Sequence, residues 1–129
     1  MNNTVTNIAT SLGDYSGVPA PLSSLPVTTT LVTGLTLTKT ADKQVWADGR
    51  LTYTLEIDNT TAIPYVKPVV TDVLDITKLV LDTSTIKING TTATASEYTY
   101  VAATGTLTLT LADIAASAKT TVTFECDKK

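Results

Sequence analysis

Residues 51–58 read Leu-Thr-Tyr-Thr-Leu-Glu-Ile-Asp, and residues 106–111 read Thr-Leu-Thr-Leu-Thr-Leu. Large apolar side chains at 51, 53, 55 and 57, and again at 107, 109 and 111, alternate with Thr, Glu and Asp. Successive side chains of an extended chain point to opposite faces, so this period of two predicts strands with one buried and one solvated face. The pattern continues outward in both directions. Leu35 and Leu37 alternate with Thr36, Thr38 and Thr40; Ile86 and Ile88 with Thr85 and Lys87; Val122, Phe124 and Cys126 with Thr121, Thr123 and Glu125. Tyr98 and Tyr100 add a short run. Tyr65–Leu74 is a further extended stretch, which Pro64 and Pro68 restrict to an edge or a bulge. Parity predicts that Leu35, Leu37, Leu55, Leu109 and Phe124 face the core.

Turn residues separate the runs. Asp48-Gly49 precedes the strand at Leu51. Asn89-Gly90 is a two-residue hairpin signal, because both residue types tolerate positive φ. Thr104-Gly105 joins two more strands. Only 111–118 (LADIAASA) has a helical composition, and it is too short to hold a helix alone. Seven to eight short strands in about one hundred residues predict an all-β fold over residues 29–129, a β-sandwich with a barrel as the alternative.

Thr is the commonest residue, and Thr, Val and Ile fit a pleated, half-buried surface. The 129 residues predict one domain, and the net charge is −3 with basic residues scattered apart from Lys128-Lys129. Without a basic stripe, no nucleic-acid partner is expected. The absence of His removes the commonest general base and transition-metal ligand. The start, MNNTVTNIATSLGDYSG, lacks the charged and apolar regions of a signal peptide, and no run approaches the ~18 apolar residues of a membrane span. Neither membrane insertion nor a visible export route is therefore expected.

Residues 1–28 have a different composition. They carry Gly13, Gly17, Pro19, Pro21 and Pro26 among Ser, Thr and Asn, with isolated apolar residues. Pro removes backbone donors and Gly raises backbone entropy, so a central strand is not expected here. The segment reads as an extended N-terminal arm, either a free tail or an arm docking on a neighbouring subunit. In the second case Val5, Ile8, Leu12, Leu22, Leu25 and Val27 would fill the acceptor pockets.

Three stretches, LTLTKTADKQVWADGRLTYTLEIDNTT (35–61), VVTDVLDITKLVL (69–81) and GTLTLTLADIAASAKTTVTFE (105–125), resemble in order the conserved-repeat immunoglobulin-like domains of bacterial cell-surface and fimbrial proteins. The resemblance rests on Lys39-Thr40-Ala41-Asp42, Leu51-Thr52-Tyr53-Thr54 with Asn59, Val70-Thr71-Asp72-Val73-Leu74, and the run from Gly105 to Val122-Thr123-Phe124. It implies an immunoglobulin-like β-sandwich of seven to eight strands over residues 29–129, of the kind used in stalks, fibres and surface layers; the expected location is outside the cell or on a cell or spore surface. Fimbrial relatives sometimes carry a Lys–Asn isopeptide cross-link. This chain holds a single copy and adds the arm, which suits a polymerising subunit better than a stalk module.

The chemistry-bearing residues are few. Lys39 shares parity with Leu35 and Leu37, and an inward ammonium is costly unless paired. Asp72 is its nearest acid in topology, either as an ion-pair partner or as a cross-link partner. Asn59 also faces inward, but at the far end of a neighbouring strand. Cys126 is a small core residue or the site of an intermolecular disulfide. Asp42, Asp48 and Asp58 are turn residues; their spacing is not that of a calcium loop, so no metal and no cofactor is expected. Trp46 is a plug at the sandwich end or a loop contact. Tyr65, Tyr98 and Tyr100 are packing residues or a sugar-binding platform. No activated nucleophile or acid–base pair stands out, so no enzyme is expected. The leading expectation is a structural subunit that polymerises with copies of itself by β-strand addition. The alternative is a monomeric adhesive or virion-decorating module that binds a surface glycan or protein.

Overall fold

A computed structural model describes residues 4–129; the first three residues of the arm lie outside the described part. The chain divides between Thr33 and Gly34 into two compact units. This boundary lies beyond residue 28, where composition alone placed it.

The first unit is a long β-hairpin. β1 (Thr4–Asn7) pairs antiparallel with β4 (Val27–Thr30), and β2 (Thr10–Tyr15) with β3 (Val18–Ser23). Ser16 and Gly17 make the turn with φ of 54° and 79°, the two positive values that match a hairpin's twist. The Gly17 N–H donates to Asp14 Oδ1 at 2.6 Å. Between the two ladders the second strand carries one extra residue, a bulge held by the Ser24 N–H on the Ala9 carbonyl (2.8 Å) and the Ala9 N–H on Ser24 Oγ (3.0 Å).

No central strand forms among the described residues of this segment, since each sheet here has two strands and both are edges; the hairpin itself was not foreseen, and the register shows how it tolerates proline. Tyr15 and Val18 flank the two-residue turn and form its hydrogen-bonded pair. Alternation then makes Asp14↔Pro19 and Leu12↔Pro21 non-hydrogen-bonded pairs. The prolines sit where an N–H would point away from the partner strand, so the ladder loses nothing.

The second unit carries β5 (Leu35–Ala41), β6 (Leu51–Asn59), β7 (Val69–Val73), β8 (Leu79–Ile88), β9 (Thr91–Thr92), β10 (Tyr98–Val101), β11 (Thr106–Thr110) and β12 (Ala118–Lys128). They form a five-stranded sheet, β5-β6-β12-β8-β9, and a three-stranded sheet, β10-β11-β7. No helix occurs among the described residues. The inward residues of both sheets meet in one core: Leu55 and Ile57 of β6, Val70 of β7, Leu81 and Ile86 of β8, Leu107 and Leu109 of β11, Val122, Phe124 and Cys126 of β12. Phe124 is fully buried and lies 5.6 Å, ring to ring, from Tyr53.

Turns fix these layers. Asn89 and Gly90, with φ of 49° and 82°, close the β8–β9 hairpin. At Gly105 (φ +73°) a Cβ would lie 2.4 Å from the Leu74 carbonyl oxygen, so only glycine fits. Residues 111–118 form no helix. Ile114 instead exchanges backbone hydrogen bonds with Tyr65 (2.8 and 2.9 Å) and is buried.

One parity expectation fails. Leu37 lies opposite Ile57 in the ladder, on the core-facing side, yet it is 58% exposed. The three-stranded sheet ends at β7, so no strand lies over the inner face of β5.

Candidate assembly surfaces

Two surfaces lack the cover that strands of this composition normally have. The first lies between β5 and β7. Leu35, Leu37, Ile57, Tyr65, Pro68 and Val70 line an open cleft of about 250 Å³ there. The backbone of β7 faces it with unpaired groups. The Leu111 N–H donates to the Pro68 carbonyl and the Leu74 N–H to the Gly105 carbonyl, so even-numbered residues bond toward β11. The N–H and C=O groups of Val69, Thr71 and Val73 therefore point to the open edge.

Lys39 and Asp72 meet between these two edge strands. The ammonium lies 2.9 Å from Oδ1 and 2.7 Å from Oδ2 of Asp72, and 4.4 Å from the centre of the Tyr53 ring. Asp72 Oδ2 is buried and receives no hydrogen bond beyond this electrostatic contact. The Lys39 side chain stays 38% exposed, which suits a snorkelling, paired lysine. Asn59 is not a partner for it. That side chain is fully buried and donates to the carbonyls of Ile63, Ile114 and Ala115, while its oxygen accepts from the Thr61 N–H and hydroxyl. Sequence reading missed this hub, which ties the segment after β6 to the one before β12; an Asn at an inward position was its only signal.

The second surface is the hairpin. Val5, Ile8, Leu12, Leu22, Leu25 and Val27 are all more than half exposed, as are Tyr15 and Val18. Leu12 shares a face with Pro19 and Pro21; Tyr15, Val18, Ala20 and Leu22 share the other. Asp14 is the one charged residue between Thr4 and Thr33.

The remaining candidates are structural or separate. Cys126 is fully buried, and burial pushes its thiol up to about 11. Its sulfur meets no other chain while β12 stays in place, which removes the candidate intermolecular disulfide from the folded body. The Trp46 indole N–H donates to the Gly49 carbonyl at 3.0 Å and the ring packs on the core. Tyr98 and Tyr100 lie on β10 and pack on the core, whereas Tyr65 lines the cleft beyond the opposite edge strand, so the three form no common platform. Asp42 accepts from the Thr52 N–H and from Lys43, which holds its carboxyl below the usual range. Among the described residues no acidic group gathers as a metal site. Arg50, which sequence reading passed over, binds Glu125 (2.7 Å), Asp82 (2.8 Å) and Asp127 (3.2 Å) across the five-stranded sheet. These bonds raise its own pKa, and Ser84 with Arg50 lowers that of Asp82.

Comparison of the chain with protein-family models, with curated proteins and with solved structures finds no match.

Proposed function

We propose that this protein is a structural subunit that assembles with copies of itself into an extracellular, cell-surface or spore-associated fibre, using the N-terminal hairpin as the joining element. The observation that carries this reading is the hairpin's exposure. A two-stranded ribbon is marginal in water by itself, and this one leaves Leu12, Leu22 and Leu25 at 67–85% exposure with a single charge nearby. Exposed edges of soluble proteins are normally guarded by charge. A ribbon with apolar side chains on both faces and one charge gains stability when a sheet or a second layer covers it. Addition to a sheet edge supplies main-chain hydrogen bonds for affinity and side-chain pockets for specificity. A link that joins two different surfaces does not close on itself, so it propagates as a filament.

The body supports the immunoglobulin-like part of this reading through its two layers and shared core. Its strand order departs from an immunoglobulin constant domain. Counting β5, β6, β7, β8, β10, β11 and β12 as first to seventh, the seventh strand lies between the second and fourth, a place the fifth takes in that domain. We read the body as an immunoglobulin-like variant with these two strands interchanged.

Deleting residues 1–33 tests the proposal. The shortened chain is expected to remain folded and monomeric in sedimentation velocity, while the full chain forms ladders or filaments in negative-stain microscopy. Fibres from the shortened chain, or a full chain that stays monomeric at all concentrations, sink the reading. In the latter case the adhesive or virion-decorating module is the remaining candidate, and glycan binding by the monomer is its test.

A further inference from the structure

We infer that the two edges which join are the outer edge of β2 in one copy and the outer edge of β7 in the next, so that the hairpin enters the three-stranded sheet beside the β5–β7 cleft. This rests on the assembly reading above and specifies its contact.

The hairpin has two long edges, and they are not equivalent. On the β3 side the outward positions are Pro19, Pro21 and Ser23, and two of these three have no N–H. On the β2 side they are Thr10, Leu12 and Asp14, and all three keep their donors. Proline on an outward edge blocks further strand pairing. One edge of the hairpin can therefore add to a sheet, and the other ends it.

The body has four edge strands, β5, β9, β7 and β10. Only at β7 does the facing strand of the other sheet leave a large inward side chain uncovered, Leu37 at 58%. On the far side, Leu79, Leu81 and Ile86 of β8 are already buried. A strand laid along β7 would lie opposite β5 and cover Leu35 and Leu37. The lengths agree: five residues of β7 and six of β2 span about 17 and 20 Å. Both edges are uncharged apart from Asp14 and from Asp72, which Lys39 already holds. Adding β2 and β3 makes five strands opposite five, with the proline edge outermost, so lateral growth stops while the chain of subunits continues.

The occupant is a second copy. A copy of the same chain supplies an edge of matching length that keeps its donors for the open edge of β7.

Proline substitution at the two outward amides tests the pairing in the full chain. Thr71→Pro blunts β7 and Leu12→Pro blunts β2, each without removing a bond of its own ladder. Each variant alone is expected to raise the concentration needed for assembly at least about tenfold, the equivalent of roughly one to two lost hydrogen bonds. Mixed at equal amounts they are expected to give a heterodimer that stops at two, since only one donor and one acceptor edge remain intact. Assembly of either variant at the wild-type concentration overturns the edge assignment while leaving the hairpin-deletion result untouched. A wild-type monomer whose Leu12 and Thr71 amides are protected from hydrogen exchange shows docking within one chain and overturns the second-copy occupant. Should a proline variant fail to fold, exchange on wild-type fibres decides: protection of the Leu12 and Thr71 amides relative to dilute monomer supports the pairing, and unchanged exchange refutes it.

Discussion

The hairpin and the body are both antiparallel ladders and end in opposite states. The body alternates Thr with Val or Leu, while β2 and β3 of the hairpin set their apolar residues among Ser, Gly and Pro, and each still pairs in register. In the body, Leu107, Leu109 and Phe124 have no exposed surface. In the hairpin, Leu12 is 79% exposed and Leu25 85%. Alternation sets the strand, but a second layer at about 10 Å decides whether the apolar face leaves water. A ribbon without that layer keeps its hydrogen bonds and gains no core.

Four measurements sharpen or break this contrast. Phe124→Ala in the body removes a fully buried ring packed on Tyr53, and about 4 kcal/mol of unfolding free energy should be lost in urea denaturation. The glycines come next. At Gly105 a Cβ meets the Leu74 carbonyl and Ile76, at Gly17 it meets nothing, and both hold positive φ. Gly105→Ala should cost about 3 kcal/mol of body stability. Gly17→Ala should leave the body's unfolding midpoint unchanged and only weaken the hairpin, by about 1 kcal/mol.

A pH titration of the body's stability ranks third. Burial raises the Cys126 thiol from 9.0 to about 11. The unfolded chain ionises first, so this contribution is whole below pH 9 and is lost as pH climbs toward 11. The acid side runs the other way: the Asp75 and Asp82 carboxyls are lowered by Thr77 and by Ser84 with Arg50. Their contribution is present above the unfolded value near 4 and fades below it. Cys126→Ala should flatten the limb between pH 9 and 11 in thermal melts; a limb that persists unchanged would assign it to another group. The smallest effect belongs to Leu12→Ala, which should shift the Tm of the dilute monomer by less than about 2 °C. A large shift there would mean the hairpin contributes to the monomer's fold, and the contrast would fail.

Much of the body was legible residue by residue. Leu51, Leu55, Ile57, Leu107, Leu109, Val122 and Phe124 are buried as parity expects, because each lies on a strand covered from the other sheet. Asn89-Gly90 turns where its residue types demand. The Lys39–Asp72 contact joins the residues paired from topology, since both lie at one end of adjacent edge strands. Leu37 was misread because parity says which way a side chain points, not whether anything stands opposite. The hairpin was not foreseen because Pro19 and Pro21 speak only against a central strand and leave open whether edge strands pair. Their effect depends on the register, and the Ser16-Gly17 turn sets that register.

The sequence by itself determined the main strands of the body, the side to which each residue points and the Asn89-Gly90 turn, since these follow from local sterics and a period of two. The tertiary structure decided which strands become neighbours: β12 at the centre of the larger sheet, β7 at the end of the smaller one. It also decided that the inner face of β5 and both faces of the hairpin stay uncovered. Those outcomes depend on contacts between residues far apart in the chain, and such contacts leave no periodic trace along it.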